Sequence, residues 1–185
     1  MLHRHLPGFP LAIVKRSMTS ASTQRHVENV WDYPRPPAIE LTPRRLRIVW
    51  GSEENELTIA ETTNAYRILE TSHPPTYYFP PKDVKMEWLK ENDRHTFCEW
   101  KGGASYYDFY PRSPPTQVVK SRIWTYHSPV TKYAALKDHL AFYVGPWRCF
   151  VDDEEIKPQE GDFYGGWISS DIQGKMKGGA GTWGW

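Results

Sequence analysis

Glu70 and His73 stand three residues apart, directly ahead of Pro74 and Pro75. The proline pair restricts the backbone, because a residue before proline is pushed to extended geometry, so both side chains can be aimed at one point. A carboxylate beside an imidazole sets its tautomer and raises its basicity, as a general base near neutral pH requires. Lys101 precedes Gly102-Gly103 and sets a cation beside backbone amides. It is either a seat for negative charge or the flank of a plain glycine turn. In the catalytic reading His73 is the base, Glu70 its orienter and Lys101 the stabiliser of developing negative charge. In the structural reading His73 satisfies backbone groups and Glu70 pairs with an arginine.

Cys98 lies three residues before Lys101. A nearby ammonium favours the thiolate, the nucleophilic form, although a single cysteine in a strand is commonly an inert core residue. The only other thiol is Cys149. Tyr77, Tyr78, Trp100, Tyr106, Tyr107, Trp124 and Tyr126 fall on strand-like runs, where alternation turns about half of them to one face. Such rings make either a core or a pocket for a flat small molecule. The candidate ligand-binding residues are Tyr77, Tyr78, Asp83, Cys98, Trp100, Tyr106, Trp124 and Tyr126.

These residues must be positioned by strands. Leu46–Trp50 and Glu56–Ala60 read as a hairpin across a Gly-Ser-Glu-Glu-Asn turn, and Thr76–Phe79 reads as a strand ended by Pro80-Pro81. Asp93–Trp100 and Ala104–Tyr110 read as paired strands around Lys101-Gly102-Gly103. Arg122–His127 is a further strand, and His139–Val144 with Arg148–Val151 a last hairpin. Short helices are expected over Thr63–Leu69 and Thr131–Asp138, and the DVKMEWLKEND segment from Asp83 reads as a short helix capped by Asp83 or as an alternating strand, the helix being preferred. Val30–Pro37 is expected to be extended, with Trp31 and Tyr33 projecting as anchors. Trp31-x-Tyr33-x-x-Pro36 recurs as Trp124-x-Tyr126-x-x-Pro129, a hint of two related halves that chance explains as readily in so aromatic a chain.

The 185 residues suit one domain. Sixteen Pro and thirteen Gly oppose long helices, while nine Trp and eleven Tyr must supply much of the buried area. Residues 1–27 hold four of the 23 basic side chains and no acid, leaving 19 bases against 22 acids, so the body is no basic nucleic-acid binder. No apolar run approaches the ~20 residues that cross a bilayer. Two cysteines exclude a four-thiolate zinc site and a disulfide-dense secreted scaffold, and point to free thiols in a reducing compartment such as the cytoplasm. Residues 1–28 read as a disordered tail, or as a mitochondrial transit peptide whose helix Pro7 and Pro10 would spoil, with Met18 an alternative start. Residues 29–158 read as a β domain and 159–185 as a Gly- and Trp-rich extension packed on it, its glycines letting the backbone approach as Trp167, Trp183 and Trp185 dock.

At Glu70-Thr71-Ser72-His73-Pro74-Pro75-Thr76-Tyr77-Tyr78, Pro80-Pro81-Lys82-Asp83-Val84 and Cys98-Glu99-Trp100-Lys101-Gly102, the chain resembles family 427 of the domains of unknown function. That family also carries a nucleotidyltransferase label. Trp31-Asp32-Tyr33-Pro34-Arg35-Pro36-Pro37, Trp124-x-Tyr126 and Ala141-Phe142-Tyr143 fit as well, so the resemblance covers about residues 30–155. The closing Gly-Gly-Trp and Gly-Thr-Trp-Gly-Trp segments resemble an extension of fungal members. Glu99 departs from the pattern, standing where many relatives have proline.

The resemblance implies a mainly β domain of folded antiparallel sheets with a few short helices. This is the β-tent shape shared with B-type methionine sulfoxide reductases and small zinc-binding chaperones. The four zinc-holding cysteines of those folds are missing, so neither metal nor other cofactor is implied. Nucleotidyl transfer asks for paired metal-binding carboxylates, and no Asp-x-Asp or Glu-x-Asp follows a Gly-Ser on a convincing strand. The leading reading is a small-molecule-binding β domain, open to cofactor-independent acid–base catalysis on a metabolite. The alternatives are a non-catalytic protein-interaction module docking through its Trp-rich termini, and a nucleotidyltransferase.

Overall fold

The computed structural model describes residues 25–111 and 118–182. The expectations for residues 1–24, for the loop after Pro111 and for Trp183 and Trp185 lie outside them. In chain order the strands are β1 (Glu28–Asn29), β2 (Ala38–Thr42), β3 (Leu46–Trp50), β4 (Leu57–Thr62), β5 (Ala65–Glu70), β6 (His73–Phe79) and β7 (Leu89–Cys98). They continue as β8 (Gly102–Phe109), β9 (Val119–Thr125), β10 (Leu140–Phe142), β11 (Arg148–Val151), β12 (Glu154–Glu155), β13 (Lys157–Pro158), β14 (Trp167–Ile168) and β15 (Ile172–Gln173). Seven form one antiparallel sheet in the order β2-β5-β6-β10-β9-β8-β7, and four form a second in the order β12-β11-β3-β4. Among the described residues, helical structure is confined to short 3-10 turns at Glu53–Asn55, Pro81–Asp83, Met86–Trp88 and Thr131–Leu136. The domain is thus mainly β, and among the described residues no helix is long and apolar enough to cross a membrane.

Strand alternation decides what the two faces of the large sheet carry. Tyr77 and Phe79 of β6, Phe109 of β8, Ile123 of β9 and Phe142 of β10 pack against Leu46, Ile48, Cys149 and Val151 of the smaller sheet, making the main core. The intervening Tyr78, Tyr106, Trp124 and Ala141 emerge on the opposite face with Tyr126. Trp167 of β14 joins the main core at 1% exposure and donates from its indole N–H to the Phe142 carbonyl at 2.9 Å. Its ring lies 5.3 Å from Tyr77 and 5.9 Å from Phe79.

Several local expectations are corrected. Thr63–Leu69 is not helical but enters β5, because Ile68 and Leu69 are buried in separate clusters and the strand pairs with both β2 and β6. The segment after Asp83 makes one 3-10 turn and joins β7 at Leu89. β10 and β11 are no hairpin: they belong to different sheets, and the chain crosses between sheets at Val144–Trp147. Residues 30–37 turn rather than extend, with the Asp32 N–H on the Asn29 carbonyl at 2.9 Å. Trp31 sits half exposed in that turn whereas Trp124 is buried in β9, so the two aromatic motifs are not equivalent.

β6 begins at His73 and includes Pro74 and Pro75. Two prolines fit there because β10 reaches only Tyr78 and Phe79, and the pairing with β5 breaks register between Ile68 and Glu70. A proline lacks the N–H of a full ladder, and edges or bulges are where a sheet accepts it.

Candidate functional site

A cleft of about 460 Å³ opens on the outer face of the seven-stranded sheet. Its floor is Tyr78, Tyr106, Trp124 and Tyr126, each at least 93% buried. Tyr78 meets Trp124 edge-on with centroids 6.3 Å apart, and Trp124 lies 4.8 Å from Tyr143. The β7–β8 turn forms one wall with Cys98, Trp100 and Lys101. Gly102, at φ +97°, reverses the chain after Lys101, a conformation that glycine tolerates best. The opposite wall comes from Asp162–Gly165 and Lys177, late in the chain.

Gly165 is required by close packing. A Cβ there would lie 2.2 Å from the Trp124 ring, so the backbone seats directly on the cleft floor. Arg94 stacks over Tyr106 at 4.4 Å and Arg122 over Tyr143 at 4.5 Å, placing guanidinium planes on ring faces. The Tyr106 hydroxyl meets the Thr96 hydroxyl at 3.0 Å, and that of Tyr143 donates to the Phe163 carbonyl at 3.1 Å.

Glu70 and His73 face each other across the β5–β6 turn. Glu70 does not orient the imidazole: its carboxylate accepts from the Lys177 ammonium at 2.6 Å, with Arg35 3.6 Å away. Burial works to raise this carboxyl, but Lys177 overcomes it and holds Glu70 below the ordinary carboxylate range. The His73 orienter is the adjacent Pro74 carbonyl, 2.5 Å from Nδ1. A carbonyl only accepts, so Nδ1 carries the proton and Nε2 keeps the lone pair. The ring is 8% exposed, packs edge-on to Tyr164 at 5.3 Å, and burial lowers its pKa to about 4.

Lys101 is 9% exposed, and among the described residues no carboxylate lies within ion-pairing distance of its ammonium. Cys98 and Tyr126 line the cleft with it. Burial acts against the ammonium, yet Tyr78, Cys98 and the more distant Glu70 outweigh it, and the pKa of Lys101 lies above its ordinary value. The lysine is therefore charged at neutral pH. Burial pushes Tyr78 and Tyr126 upward, so both phenols remain protonated there.

The structure thus brings Glu70, His73, Lys101, Tyr78, Cys98, Trp100, Tyr106, Trp124 and Tyr126 around one cleft. Tyr77 and Asp83 lie elsewhere. Alternation sends Tyr77 into the core between the sheets, and Asp83 accepts a hydrogen bond from Thr62 at 2.7 Å on the far side of β6 from that cleft's lining. Sequence reasoning missed Arg94, Tyr143, Tyr164 and Lys177. Alternation from Ala141 would have found Tyr143, whereas Lys177 carries no local signal, being 107 residues from its partner Glu70.

Cys149 stands at 0% exposure in β11, on the smaller sheet and away from Cys98. Among the described residues no group of three or more His, Cys, Asp or Glu side chains is placed to hold a metal ion.

Fold and cleft together define a small antiparallel β domain with an aromatic floor and a buried cation. Residues 38–155 match the family described as Domain of unknown function (DUF427), and the chain belongs to that family. No curated protein matches it. The wall made by Asp162–Gly165 and Lys177 lies outside the matched span.

Proposed function

We propose that this domain binds a small anionic metabolite with a flat apolar portion, its negative charge on Lys101 and its flat part against Tyr78, Tyr106 and Trp124. The observation that carries this reading is the Lys101 ammonium: nine-tenths buried, charged, and without a carboxylate partner among the described residues. A buried charge is costly unless paired, and an anionic ligand supplies the missing partner. The aromatic floor gives the shape selectivity that ligand clefts draw from rings around a few polar groups.

Acid–base catalysis by His73 is the weaker reading. A group whose conjugate acid has a pKa of about 4 accepts protons poorly near neutrality, and Glu70, the expected orienter, is engaged by Lys177. A protein partner is the second reading, supported by Phe97 and Phe163, which flank the cleft at 79% and 62% exposure. Replacing both by serine would abolish partner binding while sparing small-molecule binding.

The test is a thermal-shift and calorimetric screen of wild type, Lys101→Met and His73→Ala against carboxylates, phosphates and magnesium nucleotides. A ligand at 100 times its Kd adds about 2.7 kcal/mol to stability. Stabilisation of wild type and of His73→Ala, but not of Lys101→Met, is the expected pattern. Equal stabilisation of wild type and Lys101→Met would remove Lys101 as the anion seat, and a response to magnesium nucleotides alone would favour nucleotidyl transfer.

A further inference from the structure

Cys98 shares the cleft wall with Lys101, and no resolving thiol accompanies it, because Cys149 is enclosed between the sheets. The buried ammonium, without a carboxylate partner among the described residues, is a second sign that this corner receives a negatively charged group. The thiol lines the same cleft as that ammonium and the Tyr126 ring, and it remains partly accessible. Because Cys98 and Lys101 line one cleft wall, a carboxylate seated on Lys101 would bring its neighbouring carbon toward Sγ. The ammonium and the phenol supply N–H and O–H donors for an oxygen on that carbon, as charge-stabilising sites do.

We propose that Cys98 is a nucleophilic site of the cleft, adding reversibly to the carbonyl carbon of a 2-oxo carboxylate held by Lys101. This rests on the anion-seat reading of Lys101. In the addition the S–C bond forms, the carbonyl π bond breaks, and the thiol proton ends on the carbonyl oxygen, giving a thiohemiketal without any oxidant, reductant or co-reactant. The substituent of the acid lies against Tyr78, Tyr106 and Trp124, so an aromatic side chain fits better than a polar one. The ammonium holds the carboxylate that brings the carbon to the thiol.

The experiment uses the full chain with two alkylating probes of different charge, iodoacetate and iodoacetamide, and reads the modification at Cys98 and Cys149 by mass spectrometry. Each probe makes the S–C bond with loss of iodide and release of the thiol proton. The iodoacetate-to-iodoacetamide rate ratio at Cys98 should exceed that of free glutathione by about tenfold or more, the gain that a focused cationic cleft gives an anionic reactant. The ratio should fall to the glutathione value in Lys101→Met and return in Lys101→Arg, with Cys149 unmodified throughout.

A phenyl-substituted 2-oxo acid, isotopically labelled at its carbonyl carbon, should then show a hemiketal NMR resonance with wild type and none with Cys98→Ser. Slow reaction of Cys98 with both probes would overturn the nucleophile while leaving the anion seat to the binding screen. Fast reaction with no preference for iodoacetate would overturn the anion seat and this proposal with it. A preference for iodoacetate without a hemiketal resonance would reject the 2-oxo acid.

Discussion

Protonating His73 inside the fold should destabilise the protein across a defined pH window, and the size of the effect follows from its burial. The imidazole titrates near 6.5 in an unfolded chain and at about 4 in the folded one, chiefly because burial penalises its charged form. Between these values the unfolded state binds a proton that the folded state does not, so stability rises with pH through the window and is greatest above 6.5. At 1.36 kcal/mol per pH unit, the difference amounts to about 3 kcal/mol. Glu70 acts in a lower window: its pKa is depressed in the fold, so its contribution is present above the ordinary carboxylate value and is lost as pH falls through the folded value.

The comparison is wild type against His73→Gln, which cannot take up a proton but keeps a donor for the Pro74 carbonyl. Urea unfolding followed by tryptophan emission from pH 7.5 to pH 4 gives both stability curves, and an unchanged m-value confirms that compactness is the same. Wild type should lose about 3 kcal/mol more than the variant over this range. Curves that stay parallel within about 0.5 kcal/mol would refute the reasoning. They would mean that water or a carboxylate serves the charged ring, and would restore His73 as a base of ordinary strength.

Lys177→Met should cost about 3–5 kcal/mol by leaving the largely buried Glu70 carboxylate without its close partner, and Glu70→Gln in the same chain should recover part of that loss; strictly additive urea-unfolding energies would show that the pair is not coupled. Trp167→Ala should cost about 3–5 kcal/mol through the cavity left between Tyr77 and Phe79. For the same reason, a chain ending before Asp162 should lose its cooperative melt, and a truncated protein keeping the wild-type Tm would contradict this. Gly165→Ala should cost about 1–3 kcal/mol and shift tryptophan emission, because the new methyl meets the Trp124 ring at 2.2 Å. An unaltered melt and spectrum would show that the loop yields freely.

Much of the cleft was legible wherever the governing physics is local. Side chains alternate along any strand, so Tyr77 and Tyr78 had to part to opposite faces, while the register that pairs Ala141 with Tyr78 and Trp124, and Trp124 with Tyr106, put Tyr78, Tyr106 and Trp124 on one face. The same rule gave Tyr77 to the core, although a list of aromatic residues alone placed it with the others. Gly102 announced the turn that carries Lys101, since few other residues accept its backbone angle. Local preference misled at Thr63–Leu69, where pairing on both sides overrode a helical pattern.

The electrostatics belong to the tertiary structure. Glu70-x-x-His73 suggests a catalytic pair by spacing, but the carboxylate is claimed by Lys177, which reaches it only because the late chain folds back across the sheet. The burial that weakens His73 as a base, and the lack of a carboxylate partner for Lys101 among the described residues, depend on what packs around each group from distant parts of the chain. Residue type and spacing determine which chemistry is available; the surrounding packing determines which charges are already paired.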